Sequence, residues 1–133
     1  MRYMGVDYGS RKVGLAFSDE LGTMGFPFDV IQNDARLSDA LALLIVEEHI
    51  GTVVIGESRD FQGNENPIAN PARALGEELL ERTGVPVVYE PETYTTQEAR
   101  RDPEGVYTNK KGNVDAQAAA LILTSYLSRH GSR

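Results

Sequence analysis

The residues of this chain best equipped for chemistry are carboxylates at the ends of its apolar runs. Asp7 closes the run Arg2 to Val6, Glu57 follows Thr52 to Ile55, and Glu90 and Glu92 follow Val85 to Tyr89. Asp115 opens the final apolar segment. Converging carboxylates with no thiol and no histidine at ligand spacing favour hard, oxygen-seeking cations, magnesium or manganese above all. Taken singly, each acid also has a plainer use. Asp7 suits the turn of a hairpin, because Asp bonds its own backbone in turns. Asp115 suits the start of a helix, where it complements the macrodipole. Glu57 and Glu92 suit a solvated surface. Asp115 nonetheless shares a helical face with Ala119, Ile122 and Tyr126, and a carboxylate on an apolar face needs a partner. The weight of the reading lies in convergence, which the elements must provide.

Arg2 to Val6 and Val13 to Phe17 are short apolar runs around a glycine-containing polar turn, the pattern of an antiparallel hairpin. Phe26 to Ile31 returns as a third strand, with Pro27 limiting how early its pairing begins. The period then changes. Leu37, Ala40, Leu41, Leu44 and Ile45 share one helical face, with Asn33 and Asp34 as caps and Gly51 as the left-handed terminator. Thr52 to Ile55 is β-branched and reads as a buried strand, followed by a polar loop from Ser58 to Asn66. Ala72, Leu75 and Leu79 mark a second helix stopped at Thr83-Gly84, and Val85 to Tyr89 is the next strand. A last helix runs from Val114 to Arg129. The order β-β-β-α-β-α-β-α predicts one α/β domain over residues 1–133, built on a mixed five-stranded sheet with flanking helices. Ligands of such sheets gather at the carboxyl ends of the strands, where three of the acids converge.

The 133 residues suffice for one core without disulfide or structural metal. The absence of cysteine excludes thiol catalysis, iron–sulfur clusters and cysteine zinc sites, and suits a reducing cytoplasm. The longest apolar stretch, Ala40 to Val46, is too short to span a bilayer, so no membrane partner is expected. A net charge of −7 repels phosphate backbones at long range, so nucleic-acid binding requires metal ions or a local basic patch. Arg11 and Lys12 sit in the first turn, close to Asp7; Arg100, Lys110 and Lys111 flank the irregular stretch before the last helix. Gly9 to Gly14 fits neither a Walker loop nor a dinucleotide fingerprint and reads as a hairpin turn. His49 is a helix-end residue and His130 lies in the tail, so no Ser–His–Asp arrangement arises.

The segment Gly5 to Asp19 (GVDYGSRKVGLAFSD) closely resembles the opening of the YqgF/RuvX family, Holliday-junction resolvases also assigned to pre-16S ribosomal RNA processing. The resemblance continues through Val53 to Gly56, Gln62-Gly63, Tyr94 to Arg100, and Lys111 to Asp115 with the alanine-rich helix behind it. It implies an RNase H-like fold and a metal-dependent nuclease acting on structured RNA or branched DNA, with homodimer formation compatible. The family's three acidic positions fall on Asp7, Glu92 and Asp115, which are thus the implied catalytic residues and the ligands of Mg2+ or Mn2+. Read from the residues themselves, Arg11, Lys12, Arg100, Lys110 and Lys111 are candidate phosphate contacts beside the acids, although basic dipeptides also suit a solvated surface. The chain departs from the family in two places. Pro91 and Thr93 stand where the family has Asp and Arg around its Glu, which opens an alternative: a catalytically silent RNase H-like module that binds RNA or protein. Glu57-Ser58 stands where an apolar residue and proline are usual, and related resolvases carry an acid on the equivalent strand, so Glu57 is a secondary ligand candidate. An actin-like ATPase or sugar kinase shares a similar phosphate hairpin, but that architecture needs two such domains.

Overall fold

Side-chain alternation along the first strand builds the whole molecule, and a computed structural model shows how; it describes residues 1–58, 69–92 and 113–130. Strand β1 (Arg2–Tyr8) pairs antiparallel with β2 (Lys12–Ser18), which pairs antiparallel with β3 (Gly25–Gln32). On its other side β1 lies parallel to β4 (Ile50–Ser58), and β4 lies parallel to β5 (Val87–Glu92). The sheet order is β3-β2-β1-β4-β5. Helices α1 (Leu37–Glu47) and α2 (Ala69–Thr83) cover one face, and α3 (Asn113–His130) covers the other. This is the expected mixed five-stranded sheet with flanking helices.

Because successive strand residues face opposite ways, β1 serves two cores. Met4 and Val6 pack with Val13, Leu15 and Ile55 beneath Leu41 and Leu79. Tyr3 and Gly5 turn to the α3 side, where Ala16 and Val54 meet Ala119, Ile122 and Leu123. The helix spacing of Ala119, Ile122 and Tyr126 is realised there. Ala119 and Ile122 are buried, and the Tyr126 ring lies 6.1 Å from that of Tyr3.

The small residues bring α3 close. A Cβ on Gly5 would stand 2.8 Å from the Ala119 carbonyl oxygen and 3.0 Å from Leu123 Cβ. Backbone cannot yield as a flexible side chain can, so Gly5→Ala must lift the helix. The expected result is a loss of about 2 kcal/mol and a lower melting midpoint. A thermal melt superimposing on the wild type would refute this account of the packing.

The local signals were realised with shifts. Gly84, at φ 74°, ends α2 and donates its N–H to the Leu80 carbonyl, as Thr83-Gly84 predicts. Gly51 does not end α1. That role falls to His49 at φ 55°, while Gly51 lies within β4 beneath the Met1 side chain. Non-glycine residues tolerate the left-handed region for a single position, and β4 begins at Ile50 to gain its pairing with Arg2. Asn33 and Asp34 are not the N-cap either. The cap position is Arg36, without a side-chain bond, and the Asp34 carboxylate instead accepts the Arg36 N–H in a turn ahead of the helix. Ser58 belongs to β4 rather than to a loop, and Val85 and Pro86 precede β5, with Pro86 still accepting the Val53 N–H. Pro27 is housed in the outermost strand, beside a register shift between Leu15 and Ala16.

Candidate active site

Three parallel strands end at one edge of the sheet, and that edge collects the acids. The strand register aligns Val6 with Ile55 and Ile55 with Tyr89; one residue further on, Asp7 comes level with Gly56, which is paired with Glu90. Asp7 is only 2% exposed and lies on the α3 side of β1, the class of Gly5. Its place at a strand end beside other acids suits a cation. Of Glu57, Glu92 and Asp115 the backbone positions are described. Glu92 is paired with Ser58 at the last rung of β5, two residues beyond Glu90 and of the same pleat class. Glu57 pairs with Pro91, so it stands beside Asp7's strand as expected but at the alternate position of the pleat.

Helix α3 approaches this edge by its N-terminus. Tyr3 meets Tyr126, and Gly5 meets Ala119. Contacts thus step back along the helix as β1 advances, which carries the first turn of α3, Asp115 included, toward the edge that holds Asp7. Among the described residues, no three side chains of the metal-ligating types are grouped. The donor set at the edge is carboxylate oxygen throughout, the chemistry that fits magnesium or manganese.

Glu90, a strand-end acid to which the sequence assigns no role, is buried at this edge. It is 2% exposed on the α3 side, in one sheet row with Asp7 and separated from it by side-chain-free Gly56. Ser125 Oγ donates to its carboxylate at 3.0 Å, and the Arg129 guanidinium pairs with the same oxygen. The available signal was period two: Glu90 occupies the inward class of Val88 in a strand whose other face carries Val87 and Tyr89. Burial raises the pKa of the neighbouring Tyr126 phenol, with Tyr3 and then Glu90 adding to the shift.

Arg11 and Lys12 are exposed in and just after the β1–β2 turn, at the same edge as Asp7. The turn is held from β3. Asn33 Nδ2 donates to the Gly9 carbonyl at 2.7 Å, and the Asn33 N–H donates to the Arg11 carbonyl at 2.8 Å. Asn33, read as a helix cap from sequence, is therefore a brace for the basic turn. Gly9 is required there, since a Cβ would lie 2.5 Å from the Lys12 carbonyl oxygen. Arg100, Lys110 and Lys111 lie outside the described residues.

Residues 1–129 fit the RuvX family of Holliday junction resolvases. The chain belongs to the RuvX family. A relative in Anaeromyxobacter sp. (strain Fw109-5), assigned as a pre-16S rRNA nuclease, is 38% identical over 136 residues, covering 98% of this chain and 99% of the relative. One from Lactiplantibacillus plantarum with the same assignment is 39% identical over 139 residues, covering 98% and 96%. Among solved structures, Thermus thermophilus RuvC in complex with a Holliday junction substrate superimposes with a TM-score of 0.64 at 16% identity, covering 98% of this chain and 97% of that one. The fowlpox virus Holliday junction resolvase gives 0.59 at 11% identity, covering 97% and 99%. At those identities the likeness establishes the RNase H-like fold of this RuvX-family chain. No helix among its described residues is long and apolar enough to cross a membrane.

Proposed function

We propose that this RuvX-family nuclease hydrolyses phosphodiester bonds in structured nucleic acid, with precursor 16S ribosomal RNA as its first substrate and branched DNA as its second. The observation that carries the reading is the buried Asp7 at the edge where β5 ends with Glu92 and toward which α3 brings Asp115. Asp7, Glu92 and Asp115 are the residues that would hold one or two divalent cations, Mg2+ or Mn2+. Such ions, when bound, activate water, stabilise the leaving oxygen and offset the repulsion between carboxylates and phosphate. Arg11 and Lys12, braced by Asn33, would take flanking phosphates, with Arg100, Lys110 and Lys111 as further contacts.

Cleavage assays on precursor 16S RNA and on four-way DNA junctions, each with magnesium or manganese, test the reading. Metal-dependent scission of the RNA is the expected result. Binding without scission would favour the silent module to which Pro91 and Thr93 point.

The cations should also stabilise the fold, because apo carboxylates repel one another and an ion bound only to the native state acts by mass action. A site filled a hundredfold above its dissociation constant adds about 2.7 kcal/mol, so the melting midpoint should rise with manganese and fall back with EDTA. Glu57 is a secondary ligand candidate, set at the alternate pleat position. If it shares an ion with Asp7, Glu57→Gln weakens manganese binding and its effect does not add to that of Asp7→Asn. Unaltered affinity in the single variant would exclude Glu57.

A further inference from the structure

On the other side of β1 from Asp7 lies a cleft of about 350 Å³ that the nuclease chemistry leaves unused. It opens at the same edge of the sheet, between the turn ahead of α1, the first turn of α1 and one flank of α2. Tyr8 lines it directly after Asp7 in the strand, its partly buried ring packed against the core beneath α1 and α2. Ala74 and Leu75 supply an apolar wall. Its size is at the lower end of small-ligand pockets.

The polar groups of the cleft are biased toward accepting. Asn33 also lines it; the Nδ2 is engaged with the Gly9 carbonyl, which leaves the Oδ1 as an acceptor. Ser38 Oγ donates to Glu78 Oε2 at 2.6 Å. Asp34, Asp39 and Glu78 add carboxylates, and Arg82 offsets two of them, lying 2.7 Å from Asp39 and 3.6 Å from Glu78. An anion is therefore repelled, whereas a flat, neutral group that carries N–H donors finds a ring to stack on and acceptors to bond. Consecutive strand residues face opposite sides, so a nucleotide lying across the end of β1 can present its phosphate to the Asp7 side and its base to the Tyr8 side.

We propose that this cleft is a nucleobase subsite in which Tyr8 stacks an unpaired base bearing an exocyclic amino group, adenine, cytosine or guanine in preference to uracil. The proposal rests on the nuclease reading for its biological use but not for its test. Two-dimensional amide NMR of the full chain, titrated with adenosine, cytidine, uridine and inorganic phosphate, reads the cleft directly. Saturable shifts at Tyr8, Ser38, Ala74 and Leu75 are expected with adenosine and cytidine, weaker with uridine, and absent with phosphate. Tyr8→Ala should lower the affinity about tenfold and Tyr8→Phe should retain it, since stacking needs the ring and not the hydroxyl. Because Tyr8 touches the core, Ala74→Leu provides a second arm: it fills the cleft from an exposed helical position and should abolish the shifts while the rest of the spectrum is kept. No saturable shift with any nucleoside, shifts unchanged in Ala74→Leu, or equal shifts with phosphate would each overturn the subsite. Cleavage of precursor RNA without nucleoside binding would sink this proposal alone; nucleoside binding without cleavage would sustain it and sink the nuclease reading.

Discussion

Asp7→Asn is expected to lower cleavage at least a thousandfold while leaving the fold intact. Asn has nearly the shape of Asp, so the substitution opens no cavity at a position that is 2% exposed. What it removes is charge. A neutral amide cannot neutralise a cation, and every interaction that depends on a metal at this edge weakens with it. The stability of the variant should stay near that of the wild type without added metal, because one member of a repelling acidic group has been discharged. Its melting midpoint should also lose its response to manganese. Cleavage rates at matched stability decide the matter, since an effect on folding and an effect on transition-state stabilisation are otherwise mixed. Activity within tenfold of wild type would remove Asp7 from the catalytic role.

A second large effect, on stability, lies away from the proposed ligands, at Arg129. Its guanidinium compensates Glu90, whose side chain is 3% exposed while that of Arg129 is 54% exposed. Truncating one partner of a buried pair leaves the other charge uncompensated, at a cost of about 3–5 kcal/mol when both are enclosed. Arg129 is half in solvent, so water will replace part of the interaction and about 2 kcal/mol is the better expectation for Arg129→Met. For a domain of this size that corresponds to a fall in melting midpoint of roughly 6–10 °C. Pairing the change with Glu90→Leu should restore most of the loss, because an apolar pair of similar volume has no desolvation cost. Calorimetry on the two single variants and the double variant closes the cycle. A double variant no more stable than Arg129→Met would show that Glu90 contributes by something other than this pair.

Local chemistry determined much of this protein from sequence alone. The hairpin around Gly9, the helix through Leu37, Leu41 and Ile45, and the buried strand of Val53 to Ile55 are written in patterns of two and 3.6 residues, which depend on neighbours a few positions away. The resemblance of Gly5 to Asp19 and of Lys111 to Asp115 to the RuvX family was legible in the same way, and the family match over residues 1–129 bears it out. Asp7 was legible as a strand-end acid because an apolar run stops at it. Its burial was not.

Tertiary structure decided whatever depends on pairs far apart in the chain. Glu90 is buried against Ser125 and Arg129, 35 and 39 residues away; period two puts it on the inward face, but only these distant partners make a buried acid tolerable there. Asn33 bonds a carbonyl 24 residues earlier, so a side chain suited to capping the next helix braces the basic turn instead. His49 displaced Gly51 as the left-handed residue because β4 gains a rung by starting at Ile50, a preference that exists only once β1 lies beside it. Register assigned Glu57 to the alternate pleat position and Glu92 to the last rung, since a shift of one residue exchanges the faces of a strand. Spacing along the chain can nominate acids for one edge of a sheet, but the pairing of strands and the close approach of α3 over Gly5 are what bring them there.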